Sequence, residues 1–166
     1  MFKQLFGWAS PAGPKVRLSV LIFHRVLPKP DTLFPDEIHA QRFDELCGWL
    51  AAWFNVLPLD QAAAHLKAGT LPARAACITF DDGYADNYHV AMPILQHHGL
   101  TATFFIATGF LDGGRMWNDT IIETVRRCDD LSVFAKEFPV IASILPVIAS
   151  EARQSMPSTI ADQQAT

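Results

Sequence analysis

Apolar residues fall in short dense runs along this chain, and polar stretches of helical spacing separate them. Ser19-Val20-Leu21-Ile22-Phe23 is the first run, followed at once by His24 and Arg25. A continuous run of that length predicts a strand buried on both faces, as in a parallel sheet. A loop rich in proline and aspartate comes next (Pro28, Pro30, Asp31, Pro35, Asp36). From about Ala40 to Trp53, the positions Phe43, Leu46, Leu50 and Trp53 keep the spacing of a helix with one core-facing stripe. Asn55 to Leu57 predicts a short second strand. Asp60 is placed to N-cap a helix that stops near Gly69.

Ala76-Cys77-Ile78-Thr79-Phe80 predicts the next strand, and it runs directly into Asp81-Asp82-Gly83. A helix from about Asn87 to His97 follows, with Gly99 as its stop. Pro93 inside that helix predicts a kink, or a first turn set apart from the rest. Thr101 to Ala107 predicts a further buried strand, Asp112-Gly113-Gly114 a turn, and Asp119 to Arg127 a helix. Strands alternating with helices argue for an α/β fold with parallel pairing.

Length adds that one domain is expected, since 166 residues fit the usual size of about 100–200 per domain. Half of the residues are hydrophobic and 18% are charged, which excludes a disordered chain. A net charge of −4 excludes the basic excess of a nucleic-acid binder. No apolar run approaches the ~20 residues of a membrane span. Met1 to Trp8 is interrupted at once by Ser10, Pro11, Gly13 and Pro14, so no signal-peptide core is recognised and a cytoplasmic location is expected. Cys47, Cys77 and Cys128 lie far apart and read as thiols of a reducing compartment.

The last stretch differs in kind. Pro139-Val140-Ile141-Ala142-Ser143 recurs as Pro146-Val147-Ile148-Ala149-Ser150, and no aromatic residue follows Phe138. Residues 128–166 are therefore expected to be a tail foreign to the domain before it, disordered or helical. A helical hairpin with coincidental similarity is the alternative.

The chemistry concentrates at Asp81-Asp82-Gly83. Adjacent carboxylates repel, and one of them must take up a proton unless a cation or hydrogen bonds intervene. In α/β folds the carboxyl ends of the strands are where ligands bind. One aspartate can there hold a metal while the other acts as base toward a metal-bound water, and the glycine permits a tight turn. The competing interpretation is a plain strand-to-helix turn with capping aspartates.

Context decides between them. Ile78-Thr79-Phe80-Asp81-Asp82-Gly83-Tyr84, then Ala91-Met92-Pro93-Ile94-Leu95, Gly99-Leu100 and Thr101-Ala102-Thr103-Phe104-Phe105-Ile106, resembles the first motif region of the polysaccharide deacetylases. These form the NodB-homology group, carbohydrate esterase family 4. Leu21-Ile22-Phe23-His24-Arg25-Val26 is similar to that family's opening strand and its trailing histidine. The resemblance runs from about Val16 to Arg127. It implies an irregular (β/α) barrel of parallel strands with outer helices, incomplete in this chain, and 16–127 as the N-terminal portion of such a domain. It also implies a metal-dependent hydrolase of carbon–nitrogen, non-peptide bonds, one that removes acetyl groups from N-acetylated sugars of a polymer.

By the resemblance Asp81 is the general base and Asp82 the ligand of a divalent metal, zinc in most members. Family members complete the metal site with a later His-(Ser/Thr)-x-x-His motif. No His-x-x-x-His occurs in this chain and no histidine follows His98. The later arginine, Asp-Trp and Leu-x-His motifs are missing too. The zinc site is thus expected to be incomplete, which sets a truncated deacetylase beside a non-catalytic remnant as the two main readings. A phosphoryl-transfer domain with magnesium on Asp81 and Asp82 ranks behind them, for want of a Gly-rich phosphate loop or a nearby lysine.

Other residues carry less. His24, at the same sheet end as Asp81, is a candidate substrate contact. Trp117 and Asn118 are candidates for sugar stacking and hydrogen bonding. His97 and His98 are expected at a solvated helix C-terminus about 15 Å from the metal end, by a rise of about 1.5 Å per residue. The expected partner is a carbohydrate polymer, with neither nucleic acid nor a membrane span. Self-association through exposed sheet edges is also expected.

Overall fold

The computed structural model describes residues 9–13 and 17–127. They form two compact units. The larger runs through Pro30 and resumes from Asp36 to Gly109; the second holds Asp31–Pro35 and the described residues from Phe110 on.

The larger unit is built around one strand. β3 (Ala75–Phe80) is buried at all six positions. β1 (Ser19–Phe23) pairs with it in parallel along one edge, from Ser19 opposite Ala76 to Phe23 opposite Phe80. Two short strands share the other edge. β2 (Asn55–Val56) lies parallel at its amino end, opposite Ala75 and Ala76. β4 (Thr103–Phe104) lies parallel at its carboxyl end, opposite Thr79 and Phe80. The open parallel sheet with helices between its strands matches the α/β class and the incomplete barrel expected from the sequence.

Helices flank both faces of β3. α1 (Ala40–Trp53) and α3 (Met92–His97) pack on one side. There Phe43, Cys47 and Leu50 meet Ile78, Phe80, Ala91 and Leu95 in a buried cluster. Phe80 anchors it, stacked on Phe23 and Phe104 with ring centroids 5.3 and 4.9 Å away. α2 (Leu59–Ala68) covers the other side, where Ala62 and Leu71 pack with Ala75 and Cys77. Gly69 ends α2 in the left-handed conformation, as its position predicts.

Several expectations are corrected. β1 is buried on one face only: Leu21 and Phe23 join the core, whereas Val20 and Ile22 stay exposed, Ile22 by 62%. The alternation of side chains across a strand divides the run between a covered and an open face. The predicted strand from Thr101 to Ala107 narrows to Thr103–Phe104, because only two residues find partners on β3. Phe105 and Ile106 beyond it are exposed. The second strand likewise stops at Val56. Asp60 is not the cap of α2: Pro58 holds that place, its carbonyl accepting the Ala62 N–H at 2.9 Å, and Asp60 lies in the first turn. There its charge suits the helix dipole.

The helix after Asp82 opens with a wide π turn, Asn87–Ala91, before α3 begins with Pro93 in its first turn. The π turn runs on into α3, the Met92 N–H donating to the Asn87 carbonyl, and Pro93, which has no N–H to donate, follows at this change of register. In the second unit, α4 (Trp117–Arg126) starts two residues before the predicted Asp119. Trp117 and Asn118 therefore stand on its first turn rather than in a loop. The tail from residue 128 lies outside the described residues. Among the described residues no helix is long and apolar enough to cross a membrane.

Candidate active site

Asp81 and Asp82 sit where β3 ends. The Asp81 N–H still donates to the Phe23 carbonyl at 2.9 Å, so the ladder carries the first aspartate to the carboxyl end of the sheet. The chain then turns at once. The Gly83 N–H donates to the Asp81 carbonyl at 2.9 Å, and both Asp82 (φ 71°) and Gly83 (φ 74°) are left-handed. Aspartate tolerates that region better than most residues. At Gly83 nothing larger fits without a shift, since a Cβ would stand 2.9 Å from Ile106 Cδ1. The segment after β4 closes over the turn, with the Phe105 N–H on the Phe80 carbonyl (2.8 Å) and the Ala107 N–H on the Asp82 carbonyl (3.3 Å).

His24 follows Phe23, the register partner of Phe80, and so stands one residue beyond β1 as Asp81 stands one beyond β3. The structure thus brings Asp81, Asp82 and His24 to the same sheet end. Trp117 and Asn118 belong to the second unit, where Trp117 is 77% exposed.

Sequence reading missed a brace across this end. Arg25 donates from Nε to Asp86 Oδ2 at 2.8 Å, and its NH2 lies 2.8 Å from the same oxygen. The Arg25 guanidinium lies 4.5 Å from the centre of the Tyr84 ring. The Val26 N–H reaches Asp86 Oδ1 at 3.4 Å. The loop after β1 is thereby tied to the turn after β3, with Asp86 nearly buried. No local signal marks the pair, because its members lie 61 residues apart.

The donor set for a metal is small. All six histidines of the chain fall among the described residues. Among the described residues, the one group of three metal-ligating side chains close enough to share an ion is Asp44, His97 and His98, on α1 and at the end of α3. Asp82 has no such company, whereas catalytic zinc is held by three protein ligands. The described residues do not complete the metal site that the resemblance implies. The arrangement offers two adjacent carboxylates and an exposed imidazole at the same sheet end.

The comparisons agree with the motif. The sequence profile of the family described as "Polysaccharide deacetylase" matches residues 68–130. A protein of Bacillus subtilis (strain 168) named "Putative polysaccharide deacetylase YxkH" is 30% identical over 102 residues, covering 60% of this chain and 35% of that protein. The solved "Streptococcus pyogenes deacetylase PplD in complex with acetate" is 25% identical, with a TM-score of 0.52 over 57% of this chain and 44% of that one. A de-N-acetylase of Aggregatibacter actinomycetemcomitans is 31% identical, covering 58% of this chain and 40% of that one at a TM-score of 0.49. The chain spans about a third of the length of the curated relative it matches. Over the matched stretch, this chain is similar to polysaccharide deacetylases.

Proposed function

We propose that the Asp81–Asp82 turn serves the hydrolysis of acetyl groups from N-acetylated sugars of a polysaccharide. The placement of two consecutive carboxylates at the carboxyl end of β3, with Asp82 held in a left-handed conformation, carries this proposal. Asp81 takes the proton from the attacking water. Asp82 is the ligand this chain brings to a divalent cation, zinc by the family's habit. Such an ion, if donors beyond Asp82 completed its site, would acidify water and stabilise the oxyanion. His24 is the residue at this sheet end that would hydrogen-bond a sugar. The Arg25–Asp86 pair holds the Asp81 turn against the end of β1.

The donor count favours a second reading for the chain acting alone. One carboxylate competes poorly with water for zinc, and none of the chain's histidines is clustered with Asp82. The isolated 166-residue chain is then non-catalytic, although its turn is built for the chemistry. Acetate release from N-acetylglucosamine oligomers, with and without zinc, separates the two. The donor count predicts no release from the folded chain. Zinc-dependent release that vanishes in both Asp81→Asn and Asp82→Asn would show that the chain completes the site itself.

A further inference from the structure

The cluster of Asp44, His97 and His98 has no part in the chemistry proposed above. Its ligand atoms all lie within 4.8 Å of one another. His98 Nε2 is 2.8 Å from Asp44 Oδ1, and the His97 and His98 rings meet edge to face with centroids 4.9 Å apart. The cluster is far from Asp82 in the fold. β3 and β4 run parallel, so the helix joining them must return to the amino end of the sheet, and α3 ends there.

Its positions are set by packing rather than by flexible loops. Phe43 and Cys47 flank Asp44 on α1 and are fully buried, and Leu95 on α3 packs into the same cluster. The His98 ring lies against α1 at Gly48, one turn beyond Asp44, with Cε1 3.5 Å from where a Cβ would stand. Two helices thus present two imidazoles and a carboxylate on a shared surface. Asp44 and His97 are exposed, so an ion can enter.

We propose that Asp44, His97 and His98 form a divalent transition-metal site that ties α1 to the end of α3. Two nitrogens and one oxygen suit zinc, cobalt, nickel or copper rather than magnesium or calcium, which prefer all-oxygen sites. Zinc–nitrogen bonds of about 2.0–2.1 Å draw the donors closer than they now stand, by side-chain rotation at the surface. The ion takes the place of the proton shared between His98 Nε2 and Asp44. Water fills the remaining coordination position.

The test uses the tag-free full chain, stripped with chelator and titrated with cobalt chloride. The visible absorption of the ion and the melting temperature are both followed. One equivalent should bind, with a rise in melting temperature. His97→Ala and His98→Ala should each weaken binding by about tenfold or more. Asp44→Asn should weaken it too while leaving the helical circular dichroism unchanged, and Asp60→Asn, an exposed carboxylate on α2, should bind as the parent does. The proposal is overturned by absence of saturable binding, by undiminished binding in the His97→Ala/His98→Ala double variant, or by binding lost in Asp82→Asn alone.

Discussion

Gly83→Ala isolates the constraint that shapes the Asp81–Asp82 turn. Gly83 has φ 74°, and an L-residue there costs about 1–2 kcal/mol of backbone energy. The new Cβ would also stand 2.9 Å from Ile106 Cδ1 and 3.2 Å from its Cγ2. Ile106 is 48% exposed and can swing aside, at an off-rotamer cost of about 0.5–1.5 kcal/mol. The two contributions together come to roughly 1.5–3.5 kcal/mol. Urea denaturation followed by circular dichroism measures it, and a double-mutant cycle with Ile106→Ala separates the parts. In the Ile106→Ala background, Gly83→Ala should cost only the backbone share, about 1–2 kcal/mol. A cost below about 0.5 kcal/mol for Gly83→Ala alone, which is ordinary for a surface change, would refute the close approach and the left-handed turn together.

Two further outcomes follow from titratable groups away from the turn. Burial, and then the nearby Asp44 charge, pushes the Cys47 thiol up to about 12, so about one molecule in ten thousand carries a thiolate at pH 8. In a Cys128→Ser background, iodoacetamide at pH 8 should label Cys47 only as fast as the protein opens; labelling at the rate of a free thiol would contradict its packing. In the second unit, the Arg126 hydrogen bond at 2.6 Å holds the Asp31 carboxyl below its ordinary 3.8. A lowered carboxyl stabilises the fold above its ordinary range and loses that contribution as pH falls through the lowered value. Arg126→Gln should therefore raise the Asp31 pKa in an NMR titration and cost stability at pH 7 but not below the lowered value; an unchanged Asp31 titration would sink the assignment.

What the sequence reveals here is what local patterns encode. The dense run at Ala76–Phe80 announced a strand buried throughout, and the residues after it placed Asp81 and Asp82 at its end. The same rule over-reached at Ser19–Phe23, because periodicity cannot tell whether a second layer covers the far face of a strand. It over-reached again at Thr101–Ala107, where strand length depends on how many partners β3 can offer once β2 occupies part of that edge. The Arg25–Asp86 brace and the Asp44–His98 pair were illegible for another reason. They join residues 61 and 54 positions apart, and only the folded crossing of their elements brings them together. His98 thus proved partly buried and paired where a solvated helix end was expected.

As proposed above, the Asp81–Asp82 turn is competent for deacetylation once donors beyond the described residues complete its metal site. A chimera tests it most directly: residues 75–107, from β3 through β4, replace their counterpart in the Streptococcus pyogenes deacetylase, and acetate release is measured on that enzyme's own substrate. Circular dichroism and the melting temperature confirm that the chimera folds. Acetate release should persist in the chimera and be lost on Asp81→Asn and on Asp82→Asn within the graft. A folded chimera that releases no acetate, or one whose rate is indifferent to both substitutions, would contradict it.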